Sequence, residues 1–364
     1  MPNPPRTSEL LDVTRRLAGA LAGRTVTLME VCGTHTMAIS RMGLRSLMPA
    51  NVRLASGPGC PVCVTPTGYV DAAVALAFRD DVLVTTFGDM IRVPGTRTSL
   101  AGARSEGARV EIVYSPLAAL QLARQDPARQ VVFLGVGFET TAPAVAACVQ
   151  RARHDHLANF SVLVAHKLIP PAMEALLCDE QVALDGFICP GHVSVIIGSD
   201  AYRPLSDRFG KPCVVTGFEG PDILAGVNML LAQLVEGRAQ VECQYGIVVT
   251  PQGNRKARKL LEETFDVVDT DWRGLGTIPA SGLTLGAEFA DFDAARRFAL
   301  HVTVEEPVTG CRCGEVLRGI IEPEQCGLFR RKCRPEHPVG PCMVSSEGVC
   351  AAHYRYDEPQ VPLG

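Results

Sequence analysis

The sequence predicts an α/β fold: two similar parallel-sheet α/β domains followed by a C-terminal cysteine-rich iron–sulfur module. Three observations carry this. Short apolar runs alternate with helical patterns of about ten to fifteen residues, as in parallel sheets covered on both faces. Six of the fourteen cysteines fall in the forty residues from Cys311 to Cys350, a segment punctuated by Pro323, Pro335, Pro338 and Pro341. That segment has no long apolar periodicity and needs something besides packing to hold it. At 364 residues the chain has room for two or three cores. The boundaries are expected at 8–127, 128–250 and 251–364.

Taken in order, Ser8 to Ala22 reads as a helix with an apolar stripe of Leu10, Leu11, Val13, Leu17 and Leu21. The apolar run at Val26–Val31 is a buried strand that delivers Cys32, Gly33, Thr34 and His35 at its carboxyl end. Asn51–Ser56 is a second strand, followed by a Gly/Pro loop carrying Cys60 and Cys63 and a helix from about Tyr69. Val82–Asp89, Val110–Tyr114, Gln130–Gly137, Phe160–Ala165, Gly186–Cys189 and Pro212–Phe218 continue the strands, most of them followed by a helix. Gly-Phe-Glu recurs at Gly137–Glu139 and Gly217–Glu219, each time between strand and helix, a hint of an internal repeat. Gln244–Val249 reads as a further strand, Arg255–Thr264 as a basic helix, and residues 266–310 as loop-rich.

Composition excludes several classes. A net charge of −4 argues against a whole-surface nucleic-acid footprint, and 5% aromatics supply few base-stacking platforms. No run of eighteen apolar residues spans a membrane. The opening MPNPPRTSELLDV has no basic segment followed by an apolar one, so no signal peptide is read and the cytoplasm is expected.

Reducing surroundings favour metal over disulfide for the C-terminal cysteines. Cys326, Cys333, Cys342 and Cys350 are widely spaced single thiols. Zinc ribbons pair cysteines two to four residues apart, so the wide loops suit an iron–sulfur cluster, with structural zinc the other reading. Cys60 and Cys63 form a C-x-x-C: a redox dithiol, half of a metal site, or two core cysteines. Cys32 and His35 offer a thiolate and an imidazole in the other early loop, suited to iron, copper or zinc; an acyl-transfer pair is the rival. Asp89, Glu139, His166 and Glu219 end strands and, with His192, are candidates to line a common cleft. His192, in the loop after Cys189, is a ligand-orienting or proton-relay residue, or else a satisfied core histidine. Gly135-Val136-Gly137 lacks the third glycine of a dinucleotide fingerprint and the lysine of a phosphate loop.

With these residues in hand, CGTHT (Cys32–Thr36), GPGCPVC (Gly57–Cys63), GFETTAP (Gly137–Pro143), PGHVSVIIG (Pro190–Gly198) and CMVSSEGVCAAHYRY (Cys342–Tyr356) resemble the HypD family of NiFe-hydrogenase maturation proteins. The resemblance runs from about residue 8 to 356. It implies a cytoplasmic redox-active scaffold, not a classical turnover enzyme, on which the Fe(CN)2CO group is assembled. It implies two similar α/β domains and a 4Fe-4S cluster held by Cys326, Cys333, Cys342 and Cys350. By the same resemblance Cys32 holds the transient iron with His35 beside it, and Cys60 and Cys63 exchange electrons with the cluster. The implied partners are the small chaperone HypC, the cyanide-donating HypE and, indirectly, the hydrogenase large subunit. Cys311 and Cys313 are left as a structural or supporting pair. An iron–sulfur oxidoreductase acting on a small substrate is the competing class.

Overall fold

The computed structural model describes residues 7–300, 302 and 306–357. Among the described residues eleven strands run in chain order: β1 (Val26–Glu30), β2 (Val52–Ser56), β3 (Val82–Thr86), β4 (Val110–Ile112), β5 (Gln130–Gly137), β6 (Phe160–His166), β7 (Gly186–Pro190), β8 (Cys213–Thr216), β9 (Val241–Cys243), β10 (Phe265–Trp272) and β11 (Gly276–Leu285). The expected α/β class holds. One sheet has the order β2-β1-β7-β8-β9 and the other β4-β3-β5-β6, and every pairing in both is parallel. The central strands β1 and β7 are buried at every residue, as strands covered on both faces must be. Among the described residues no helix is long and apolar enough to cross a membrane.

The expected boundaries do not follow the sheets. A split near residue 127 would cut the second sheet, because β3 before it pairs with β5 after it. The first sheet is instead assembled from two remote stretches, with Leu28 opposite Gly186. A parallel strand needs a crossover, and the alternating pattern does not say which sheet receives the next strand. The boundary at 250 also moves. Phe265, Leu283, Leu285, Phe289 and Phe292 share a core with Val131, Phe133 and Phe160, so the segment after 250 packs on the second sheet.

The stretch expected to be loop-rich contains the antiparallel hairpin β10–β11. A bulge between Val268 and Thr270 and the acidic Asp266, Asp269 and Asp271 broke the alternation that marks a strand. Gln244–Val249 is mostly turn, β9 having ended at Cys243. One apolar core joins both sheets and the cysteine-rich segment, running from Met29 and Val31 through Val132 and Leu134 to Val316, Leu317 and Cys342.

Candidate metal centre

The carboxyl ends of both sheets meet around a cavity of about 470 Å³. Cys32 after β1, Gly59 and Pro61 after β2, Asp89 after β3, Phe138 after β5 and His192 after β7 all line it. Ser345 and Glu347, from between Cys342 and Cys350, close one side. Thr34 Oγ1 donates to Glu347 Oε1 at 2.9 Å, and Ser345 Oγ to Asp89 Oδ2 at 2.7 Å, so the C-terminal segment is stitched to both sheets.

Cys32 is the residue before helix Gly33–Arg41, in extended backbone, and is 9% exposed. Its loop is fixed from two directions. Glu30, a buried strand residue, accepts the Cys32 amide at 2.9 Å and the Thr36 hydroxyl at 2.5 Å. Gly33 donates its amide to the Gly59 carbonyl at 2.8 Å, and a Cβ on Gly59 would stand 2.1 Å from the Cys32 nitrogen. Glycine at 59 is therefore demanded by close approach of two loops. Burial pushes the Cys32 thiol up to about 12, with the Glu30 and Glu347 charges adding and the His35 and Thr34 amides opposing. A bound cation is what would stabilise the thiolate in such a setting.

His35 lies elsewhere than expected. Its ring does not line the cavity; Nε2 donates to the Gly217 carbonyl at 2.9 Å, and Thr216 Oγ1 lies 3.0 Å away. Burial drives its pKa down to about 4. Phe218 is sandwiched between His35 and His192, with centroids 4.7 and 4.1 Å away. The imidazole facing the cavity is that of His192, which starts helix Gly191–Ile197 instead of lying in a loop.

Of the acidic and imidazole residues expected in a common cleft, Asp89 and His192 line this cavity. Glu219 is exposed at the start of helix Gly220–Val235 and lies outside its lining. His166 is buried against Phe265, with neither ring nitrogen hydrogen-bonded, and burial lowers its pKa to about 3. Glu139 is 2% exposed; Oε1 accepts the Ile169 amide at 2.9 Å and Oε2 has no partner. Burial raises the Glu139 pKa to about 7. Between its unfolded pKa of 4.5 and this value the folded chain binds the extra proton, so this term destabilises the fold progressively as pH rises through that window. Glu139→Gln keeps the Ile169 bond and removes the titration. It is expected to add about 2–3 kcal/mol at pH 8 and little at pH 5, read from urea unfolding at the two pH values.

Cys60 and Cys63 are joined as a disulfide with Cα atoms 5.3 Å apart. Both are buried and neither lines the cavity, although their neighbours Gly59, Pro61 and Val62 do. They lie one layer behind it. Cys63 Sγ is 3.9 Å from the carbonyl oxygen of Pro341, the residue before Cys342.

Behind that layer, Cys326, Cys333, Cys342 and Cys350 line one enclosed cage together with Cys311 and Cys313. The last two thus stand in the same cage as the other four. Tetrahedral zinc holds its sulfurs about 3.8 Å apart. Among the described residues no three of these sulfurs lie within 4.8 Å of one another. Six thiols around one wider cage fit a cluster, whose sulfurs are spread around several irons, better than a single ion.

The sequence matches a family of hydrogenase formation proteins. The family described as "HypD: Hydrogenase formation hypA family" matches residues 8–357, and this chain belongs to it. The chain is similar to the hydrogenase maturation factor HypD of Azotobacter vinelandii, 49% identical over 94% of this chain and 93% of the relative. It is also similar to those of Cupriavidus necator (45%, covering 95% and 94%) and Escherichia coli K12 (44%, covering 98% and 97%).

Proposed function

We propose that this chain is a hydrogenase maturation factor that holds one iron at Cys32 while it gains its cyanide and carbon monoxide ligands, yielding the Fe(CN)2CO group. The observation that carries the reading is the layering of three sulfur sites. Cys32 faces a cavity, the Cys60–Cys63 pair stands behind it, and the cysteine cage lies against that pair through Pro341–Cys342. Soft thiolate suits the iron of such a cargo, and a dithiol between cavity and cage suits electron exchange. A 4Fe-4S cluster supplies single electrons when bound, and Cys326, Cys333, Cys342 and Cys350, with Cys311 and Cys313 beside them, offer the thiolates. Asp89, His192 and Glu347 line the cargo cavity and offer polar groups around the cargo. The cytoplasm, where thiols stay reduced, is the compartment this chemistry needs.

The test is anaerobic preparation of the chain, with iron and sulfide analysis and infrared spectra of its complex with the small chaperone. Bands of metal-bound cyanide and carbon monoxide are the expected result. Turnover of a small substrate without any partner would favour an iron–sulfur oxidoreductase instead.

The dithiol should show a two-electron couple in thiol trapping across a redox series, lost in Cys60→Ser while the fold persists. Two thiols inert at every potential would reduce them to core residues. The partners proposed are the small chaperone HypC, the cyanide donor HypE and, indirectly, the hydrogenase large subunit. The cavity mouth carries Tyr114, 96% exposed, beside partly exposed Ile112 and Leu117, an apolar rim suited to a transient partner. Adding the chaperone should slow hydrogen exchange at the Cys32, Cys60 and Tyr114 loops. Protection confined to the strand N-termini would place the partner on the opposite face.

A further inference from the structure

We propose that Arg273 is a positioning residue for the cysteine cage, its buried guanidinium raising the reduction potential of the cluster held there. The inference rests on the cluster reading given above. Arg273 sits in the turn between β10 and β11 and is 7% exposed. Two backbone contacts fix it. Its amide donates to the Val64 carbonyl at 2.9 Å, tying the turn to the loop just past Cys63. The next residue, Gly274 (φ +81°), lies against Gly314 so closely that a Cβ on Gly274 would be 2.6 Å from the Gly314 Cα. A Cβ on Gly314 would be 2.4 Å from the Gly274 oxygen. The turn is thereby seated on the first turn of helix Cys313–Leu317, with the arginine between the dithiol loop and the cage.

Its partners do not use all of its donors. Nε pairs with Glu306 at 3.2 Å, and that carboxylate also accepts the amide and hydroxyl of Thr67. Nη1 is buried with no hydrogen-bond partner. An arginine kept only for packing would have that donor satisfied, since buried polar groups almost always are. A guanidinium does not lose its proton in proteins, so its charge persists in a low-dielectric setting. The Arg273 charge reaches three thiols of the cage, those of Cys311, Cys313 and Cys342. Arg312 acts on Cys326, but it is exposed and paired with Glu315. Reduction adds one electron from an external donor to the cluster and breaks no bond. A fixed positive charge nearby favours the more negative form, local charge being one of the levers on cluster potential.

The experiment is a mediated redox titration of the anaerobically reconstituted full chain, with dithionite as reductant and electron paramagnetic resonance as readout. Arg273→Gln should shift the midpoint to a more negative value, and Arg273→Lys should stay near wild type. Glu306→Gln removes the counter-ion and should shift the midpoint the other way. Loosened packing would not give opposite signs from the two partners of one ion pair. If Arg273→Gln fails to load iron, Glu306→Gln decides alone: an upward shift supports the inference, and no shift or a downward one overturns it. An intact cluster with unchanged potential in Arg273→Gln overturns this inference alone. A wild-type preparation without any cluster overturns the underlying reading as well.

Discussion

Cys32→Ala is expected to reduce the cyanide and carbon monoxide infrared bands of the chaperone complex to background while the C-terminal cluster stays loaded. The thiol is delivered by the end of a fully buried strand and held by the Glu30 carboxylate and the Gly59 loop, so its position is fixed before any iron arrives. Metal sites require this degree of support from the residues around them. Alanine at 32 keeps the backbone amide that Glu30 accepts, so the loop should persist and only the sulfur be lost. His35→Ala should weaken the bands less, because its ring bonds to Thr216 and Gly217 on the side away from the cavity. Undiminished bands in Cys32→Ala, with iron content equal to wild type, would remove the ligand assignment.

Cys326→Ala carries the second large effect. Cys326 is buried with Phe329, Cys333 and Met343 in a small cluster of its own, and a segment of 3-10 turns and bends surrounds it. On the proposed reading, metal bound there would be coupled to local folding around Cys326 and Cys333, whose own apolar cluster is small. Loss of this thiol should remove about four irons per chain, with their visible absorbance. It should speed hydrogen exchange from about Cys313 to Tyr356 and leave β5 and β6 protected. A variant that retains all its iron would show that the cage closes through a different four of its six thiols.

Much of this arrangement was legible in the residues. Apolar runs ending in Cys32 and Gly137 announced parallel strands whose carboxyl ends gather at one cavity, and the clustering of late cysteines announced a cage. Sheet membership was not legible, since β1 and β7 are both simply apolar and nothing local records that they become neighbours. The direction of His35 also escaped. At the third position of its helix its ring reaches the β8 end, while its amide faces the Cys32 sulfur. Glu347 was visible only as one letter of a Ser/Gly stretch between two cysteines, although a carboxylate in such a small-residue run was a signal of close approach. Arg273 was hidden for the reason the hairpin was: a bulge and three aspartates masked the strands that present it.

The interleaving of the two sheets has a consequence for how the chain comes into being. As the polypeptide leaves the ribosome, the four strands of the second sheet are complete once residue 166 has emerged. β1 and β2, although made first, lack their neighbour β7 until residue 190 and the far edge of their sheet until residue 243. The later-starting sheet is therefore the one that closes first, and the N-terminal strands must wait unpaired on one side, a slow, non-local step of the kind that limits folding rate. Ser345 and Glu347 close the cavity last of all. A nascent chain thus displays Cys32 without a finished pocket until residue 347 has emerged.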